Sequence, residues 1–426
     1  MTEPNPLLKP DTADEVLLDV AALIELSPRD RRVADNRYRL LKTHLERERS
    51  KLRPYLVDGE SRIYSQGSIA TSTTIVSGTD DDRFDVDAIV EIDVPADWDD
   101  DHALDLLEES LQGFPGAAAI VRRTRCVQIQ FPFMHMDVAI LDRRARLAIP
   151  RAGEIFHSPD TGASMRVSSN PWGFTGWFRL TVGVGDAPFT EALRRHRQDV
   201  GRDRLPVLDA SEAVVVAKAE QDDLPPMIPS RLDAQQAVAL KLLKRNLNIS
   251  YAGAATPRPP SIYVTKRAAD IGYIPQGLTA QLYVLASDTA KIMRDHLDAG
   301  TQPEDLNPSY PPDRITDRWP RAGKPGETDM RTLAEALEHL GERLAEMATA
   351  PLAEIAAIVD ELFGERIGKQ QRAVLAKRYD RRDTGAPILS APRTGGIYAP
   401  AIAPASAPLV EVPRHNFHAG RAVKIR

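Results

Sequence analysis

The chain has 426 residues, of which 42% are hydrophobic and 27% charged, so it is long enough for two ordinary domains with a sizeable core. Its single cysteine, Cys126, excludes an intramolecular disulfide and a cysteine-based zinc site, and predicts a cytoplasmic protein in which Cys126 is a small core residue. A net charge of −6 argues against a protein that binds long nucleic acid over much of its surface, although it is compatible with a local basic groove. The longest apolar runs are shorter than a membrane span, and the acidic N-terminus is not a secretory signal.

The first 145 residues alternate between helical and strand patterns. Apolar spacing predicts helices over 12–26, 27–52 and 102–114, a buried strand over 84–94, and one or two long strands over 124–142. The second helix begins with a Ser27-Pro28 cap. This order predicts an α/β domain with a mixed sheet.

The second half is mainly helical. After a connection at about 205–229, amphipathic patterns predict helices over 230–250, 277–300 and 329–364, with a Pro-rich loop before the last. We predict three parts: 1–205 as an α/β core with N-terminal helices, 206–380 as a helical domain, and 381–426 as a Pro/Ala/Gly-rich linker or docking tail.

Two aspartates stand at the head of the strand "FDVDAIVEI". Residues two apart on a strand share a face, so Asp85 and Asp87 place their carboxylates side by side while Val86 enters the core. Two adjacent carboxylates are costly unless cations neutralise them, and hard oxygen ligands suit Mg²⁺ or Mn²⁺. A third carboxylate, Asp137 in "HMDVAIL", completes a set suited to two-metal phosphoryl transfer.

The turn at Gly67 and Ser68 supplies the complementary part. Glycine lets the backbone approach a phosphate closely, and a serine at the start of the short helix "SIATSTTI" offers a hydroxyl and an N–H to anionic oxygens. Each motif alone is common, and Asp80 to Asp82 read as a solvated loop. The ordered set within about 70 residues indicates a nucleotidyltransferase.

These residues resemble the polymerase-β-like nucleotidyltransferase superfamily, whose pattern is Gly-Ser, D-x-[DE] and a distal Asp. More narrowly, the chain resembles the bacterial cyclic-oligonucleotide synthases of anti-phage signalling, the CD-NTases of CBASS systems, which are relatives of cyclic GMP-AMP synthase and oligoadenylate synthase. In "LKLLKRNL", Lys244 is the best match to a phosphate-contacting lysine of this branch, and Lys241 lies one turn away on a nearby face. Ser261 in "RPPSIYV" matches a serine that faces the nucleotide. The alternative for both lysines is a surface position on an amphipathic helix.

The resemblance covers roughly 30–375 and implies an α+β fold: a bilobed polymerase-β-like core with a mixed sheet, plus a helical C-terminal domain. It implies that Asp85, Asp87 and Asp137 are catalytic metal ligands for Mg²⁺ or Mn²⁺. Gly67, Ser68, Lys241, Lys244 and Ser261 would then bind nucleotide. The product would be a cyclic di- or trinucleotide second messenger made from NTPs, with ATP among the substrates.

Two other interpretations stay open. One is a nucleotidyltransferase that modifies RNA 3′ ends, a protein or a small molecule; the acidic charge balance and the lack of an appended RNA-binding module argue against it. The other is a silent scaffold, which the complete set of motif residues disfavours. A regulatory protein docking at the tail is compatible with catalysis. Asn170, Trp172, Trp177 and Tyr263 are candidates for a base pocket, or else core residues.

Overall fold

The computed structural model describes residues 10–56, 62–77, 83–143, 148–160, 162–201, 232–382, 398–399 and 410–411. The chain divides into two compact units, Met1–Lys369 and Gln370–Arg426. The predicted connection at 205–229, the loop residues Asp80 to Asp82 and most of the tail fall outside the described residues. Among the helices that are described, none is long and apolar enough to cross a lipid bilayer.

Helices and strands alternate in the first half of the chain. In chain order the elements are α1 (Pro10–Ile24), α2 (Pro28–Leu45), α3 (Arg53–Leu56), β1 (Arg62–Gln66), α4 (Gly67–Ala70), β2 (Phe84–Ile92), α5 (Asp100–Leu111), β3 (Ala119–Arg122), β4 (Val127–Gln130), β5 (Met134–Arg143), β6 (Gly153–His157), β7 (Met165–Ser169), α6 (Pro171–Val182) and α7 (Ala187–Asp199).

The second half is mainly helical, as predicted. Its elements are α8 (Gln235–Ser250), α9 (Ser261–Ile271), α10 (Leu278–Ala299), β8 (Leu306–Asn307), β9 (Tyr310–Arg314), α11 (Lys324–Met347), α12 (Leu352–Phe363), α13 (Glu365–Arg382), β10 (Tyr398–Ala399) and β11 (Val410–Glu411). Strands β10 and β11, in the second unit, pair antiparallel.

A seven-stranded mixed sheet forms the centre of the first half. The strand order is β1-β2-β5-β4-β3, with β6 pairing with β5 and β7 with β6. Strands β2 and β5 are parallel, and every other described pair in this sheet is antiparallel. The predicted α+β fold with a mixed sheet and a helical second half is confirmed.

The two faces of the sheet differ in character. Phe84, Val86 and Val90 of β2 point into the main hydrophobic core, together with apolar residues of α1, α2 and α5. On the other face Tyr64 and Ile89 belong to a small separate apolar cluster. The strand alternation that the sequence predicts is therefore present, and it leaves polar residues of the second face available for chemistry.

Helix α8 is the central helix of the second half. It contacts α1, α9, α10, α11 and α12, and nearly all its residues from Gln235 to Leu247 are buried. This burial includes the lysines of "LKLLKRNL", which a surface helix would expose. Long helices α10 and α11 pack against each other beside it.

Local signals explain several element boundaries. The Ser27 hydroxyl accepts a hydrogen bond from the backbone N–H of Asp30 at 3.1 Å, which confirms the predicted Ser-Pro cap of α2. The predicted helix over 329–364 is broken before Pro351, which caps α12. The predicted short helix after Gly67 ends at Ala70, because the backbone turns to a positive φ of 58° at Ser72.

Candidate active site

The pairing of β2 with β5 brings two of the predicted carboxylates together. The parallel register sets Asp87 opposite Asp137 and Asp85 opposite His135. Neighbouring strands lie about 5 Å apart, so side chains at paired positions on one face are adjacent. Val86 is fully buried in the core between the two aspartates of β2, which fixes their carboxylates on the opposite face.

The Gly67 turn lies directly beside these carboxylates. Strand β1 pairs with β2 so that Gln66 is opposite Asp87, and the chain turns at Gly67 with a φ of +63°. A Cβ at this position would collide with the Asp87 carboxylate. Both the backbone conformation and the space therefore require glycine here. Ser68 follows as the second residue of α4, and its hydroxyl is 3.0 Å from that of Thr74.

The carboxylates carry an excess of negative charge. Burial and the neighbouring charges of Asp137 and Asp85 raise the pKa of Asp87 to about 7, against the opposing effect of Lys244. Desolvation also raises the pKa of Asp85, although its side chain is largely exposed, while the nearby His135 and Arg258 side chains act to lower it. Such a site is stabilised by any cation that enters it.

Burial raises the pKa of Asp137, and the hydrogen bond that its carboxylate accepts from Gln128 lowers that pKa. The Gln128 amide donates to Oδ1 of Asp137 at 2.9 Å from the adjacent strand β4. This contact fixes the orientation of the carboxylate. It was not predicted from the sequence, because only the register of β4 against β5 identifies Gln128 as the neighbour.

Lys244 provides the cationic side of the cleft. Its side chain is buried, and Nζ donates a hydrogen bond to Oγ1 of Thr73 at 2.9 Å. Burial lowers the pKa of Lys244 to about 7, although Asp87 raises it. Thr73 itself is held by the loop after α4, where its N–H donates to the Ser68 carbonyl at 2.8 Å. The lysine and the Ser68 loop are thus linked directly.

These side chains line one cavity of about 360 Å³. Helix α6 supplies an apolar wall with Pro171 and Phe174, and α9 supplies Ile262 and Thr265. The predicted site residues on its lining are Gly67, Ser68, Asp85, Asp87, Asp137, Lys244 and Ser261. Ser261 is the first residue of α9, as predicted. A polar cavity of this size with an apolar wall suits a small ligand that carries charge.

Lys241 does not line this cavity. Its Nζ donates to Oε1 of Glu25 at 2.7 Å, inside a cluster where Arg197 and Arg31 also pair with Glu25. Arg197 makes two further hydrogen bonds to Asp233. The cluster surrounds a small cavity of about 30 Å³. A nucleotide contact by Lys241, predicted from the sequence, is not supported by this position.

The candidate base-pocket residues also lie outside the cavity lining. Asn170 is buried and caps α6, accepting from the N–H of Gly173 at 2.8 Å. Arg151 covers the ring of Trp172 at 3.8 Å. Trp177 packs against Phe174, and Tyr263 is buried against Trp319. Three of the four thus serve packing or capping, and Trp172 stacks beneath an arginine.

A divalent cation fits the donor set, although the protein does not provide a complete cage. In the described ranges, no group of three or more His, Cys, Asp or Glu side chains forms a ready-made metal site. The three aspartates are nevertheless hard oxygen donors whose mutual repulsion a cation would relieve. Mg²⁺ commonly takes one or two carboxylates and completes its coordination with water and substrate phosphates.

No protein-family model matches the chain. It is 29% identical to the cyclic dinucleotide synthase CdnG of Bradyrhizobium diazoefficiens (strain USDA 110) over 401 residues, which are 92% of this chain and 89% of that protein. The structure of the B. diazoefficiens CD-NTase CdnG in complex with GTP matches with a TM-score of 0.70 at 28% identity, covering 86% of this chain and 100% of that one.

A structure of the Escherichia coli MS115-1 CdnC:HORMA-deltaN complex matches with a TM-score of 0.53 at 14% identity, covering 83% of this chain and 97% of that one, and it supports the fold alone. The similarity to CdnG extends over nearly the whole of both chains. In sequence and in fold the chain is therefore similar to the CD-NTase CdnG, and these two comparisons support a nucleotidyltransferase enzyme.

Proposed function

We propose that this chain joins nucleoside triphosphates into a cyclic dinucleotide. Two observations support the proposal. The chain is similar over nearly its whole length to a protein named as a cyclic dinucleotide synthase, and one cavity combines three carboxylates with a buried lysine and a Gly-Ser turn. The CdnG structure contains GTP, so GTP is a candidate substrate here beside ATP. A cyclic trinucleotide product is the larger variant of the same proposal.

The residues of the cavity have distinct roles in this reaction. Ser68, Lys244 and Ser261 bind the triphosphate of a donor nucleotide, with Lys244 held in place by Thr73. A ribose hydroxyl of the acceptor nucleotide attacks the α-phosphate, a new P–O bond forms, and pyrophosphate leaves. Asp137, oriented by Gln128, accepts the proton of that hydroxyl. A second transfer within the linear product closes the ring and releases another pyrophosphate.

Asp85, Asp87 and Asp137 would hold Mg²⁺ or Mn²⁺. Bound there, such ions supply activation of the attacking hydroxyl and neutralisation of charge on the departing pyrophosphate. The protein contributes the excess of carboxylate charge on one face of β2 and β5, which attracts cations before any nucleotide arrives.

The biological setting is a further part of the proposal. The family resemblance supports a second messenger for anti-phage defence, made in the cytoplasm. It also supports a regulatory protein that docks on the tail at 381–426. Stable binding of long nucleic acid is not part of the proposal, because the chain carries a net charge of −6.

The observation that carries the proposal is the register of Asp87 against Asp137 beside the Gly67 turn. Purified protein is incubated with radiolabelled NTPs and Mg²⁺ or Mn²⁺ and then treated with phosphatase. We expect a phosphatase-resistant product, and its loss in an Asp85→Ala/Asp87→Ala double variant. Asp93→Ala is the matched control, because Asp93 follows β2 and pairs with Arg143 outside the cavity.

Persistent product from the double variant would contradict the assignment of the metal ligands. Label that enters only added RNA, protein or a small-molecule acceptor would favour the alternative that the enzyme modifies another molecule.

A further inference from the structure

The cavity of about 360 Å³ around Asp87, Asp137 and Lys244 is called the catalytic cavity below. A smaller cavity adjoins it on the side of α8. It has a volume of about 80 Å³ and shares Ser68, Asp85, Lys244 and Ser261 with its neighbour. Its remaining wall is polar and consists of Thr73, Thr74, Ser77, Asn248 and Arg258, with Ile75 as the apolar exception. The two cavities therefore adjoin, and the residues between them are ones already assigned to the candidate active site.

Arg258 is the residue of this wall that has no assigned role. It precedes α9 in the segment "PRPPS", where three prolines restrict the backbone on both sides. Its side chain is exposed, and it makes no hydrogen bond or ion pair with any other residue that the structure describes. It also lines a larger cavity of about 400 Å³ that shares Gln66, Pro171 and Ile262 with the catalytic one.

The charges around the small cavity are arranged for an anion. Lys244 and Arg258 are its two cationic residues, and hydroxyl and amide side chains fill most of the wall between them. Asp85 lies at the boundary with the catalytic cavity, and its side chain is 62% exposed. Arg258 and Asp85 both line this small cavity, so the guanidinium stands on the same wall as the carboxylate.

We propose that Arg258 binds the terminal phosphates of the donor nucleotide, in the small cavity between Lys244 and Ser77. This inference rests on the proposed function, because it assigns a subsite to the same NTP. A guanidinium can bind two phosphate oxygens at once, and a proline-restricted loop limits the entropy lost when it does so. Arg258 thereby distinguishes a nucleoside triphosphate from a monophosphate.

The test measures how affinity depends on the number of phosphates. Binding of the α,β-methylene analogue of GTP and of GMP is measured by calorimetry with Mg²⁺ for the wild type, Arg258→Ala and Arg258→Lys. We expect Arg258→Ala to weaken binding of the analogue about tenfold and GMP binding less than twofold. Arg258→Lys keeps the positive charge but loses the paired N–H donors of the guanidinium, so its affinity for the analogue should lie between those of the wild type and Arg258→Ala.

Arg294→Ala is the matched control, because Arg294 is a half-buried arginine on α10 that pairs with Glu338 and lines none of these cavities. It should leave both affinities unchanged. Equal weakening of the analogue and GMP in Arg258→Ala, or no weakening of either, would overturn the role of Arg258. If the wild type instead makes no phosphatase-resistant product, the proposed function itself fails, whatever the result with Arg258.

Discussion

Two groups of charged side chains include lysines one helical turn apart on α8, Lys241 and Lys244, and their charges are balanced in opposite ways. In the first, which we call the Glu25 cluster, the Glu25 carboxylate is surrounded by Lys241, Arg197 and Arg31. Every charge there has a partner from another part of the chain. This arrangement ties the end of α1 to α7 and α8.

In the second group, at the catalytic cavity, three carboxylates face one ammonium group, that of Lys244. Burial and the charges of Asp137 and Asp85 together raise the pKa of Asp87, and Lys244 only partly offsets them. The same residue type on the same helix thus occurs in two different settings. The group with compensated charge fits a structural role, and the group with uncompensated charge fits the ligand-binding site proposed above.

The largest expected effect is on catalysis by Asp87→Asn. Removing this carboxylate should lower product formation by about a thousandfold or more, since it takes away a central charge of the site. The midpoint of thermal unfolding should rise or stay unchanged, because the substitution relieves repulsion with Asp85 and Asp137. Product assays and calorimetric scans on the same preparation test both parts. A destabilised but active variant would remove the contrast between the two groups.

Glu25→Gln should lower stability, whereas Asp87→Asn should lower catalysis. It leaves the buried cations Arg197 and Lys241 without their shared carboxylate, which should lower the free energy of unfolding by about 3 kcal/mol. Urea unfolding measures this change. Glu191→Gln is the control, because Glu191 pairs with Arg194 at the exposed surface of α7 and should change stability by less than about 0.5 kcal/mol. Equal stabilities of the two variants would mean that the Glu25 cluster contributes little.

The two lysines give the most direct contrast. Lys244→Met should lower kcat/KM about 10–100-fold without loss of stability, because it removes a charged contact to substrate and a buried ammonium. Lys241→Met should lower the free energy of unfolding by about 1–3 kcal/mol and leave kcat/KM per folded molecule within about threefold. Each variant is the control for the other. A similar loss of kcat/KM in both would return Lys241 to the nucleotide site.

The smallest expected effect is the pH dependence of the Glu25 cluster. Burial alone would raise the pKa of Glu25, but Lys241, Arg197 and Arg31 hold it well below its usual value. The stability that Glu25 contributes is therefore present above pH 4.5, its unfolded pKa, and is lost as the pH falls towards the folded value.

The difference in unfolding free energy between wild type and Glu25→Gln should shrink by at most about 1.4 kcal/mol per pH unit below that point. Urea unfolding of both proteins, at several pH values from neutral down to the lowest at which the wild type stays folded, measures this difference. A difference that grows on acidification would contradict the sign.

Features that depend on residues close together in the sequence could be predicted from the sequence. The alternation around Val86 identified which face Asp85 and Asp87 occupy, and the Gly67-Ser68 turn was recognisable from its own residues. The mixed sheet and the helical second half followed from the spacing of apolar residues.

The remaining features depend on residues that are distant along the chain. In "LKLLKRNL" both Lys244 and Lys241 were candidates for nucleotide binding, with Lys244 the better match. The position of Lys241 is explained by Glu25, which is 216 residues away along the chain. Thr73 is likewise 171 residues from Lys244. The partner of Asp137, Gln128, is near in sequence, but only the pairing of β4 with β5 shows that they meet.

The decisive property of this protein is the proposed synthesis of a cyclic dinucleotide in the cavity around Asp87, Asp137 and Lys244. Mass spectrometry of the products formed from an equimolar mixture of the four NTPs measures this property, with the Asp87→Asn variant analysed in parallel. We expect a cyclic dinucleotide, which has lost two pyrophosphates relative to its substrates, from the wild type alone. A product mixture with only open-chain nucleotides, or the same cyclic product from Asp87→Asn, would contradict it.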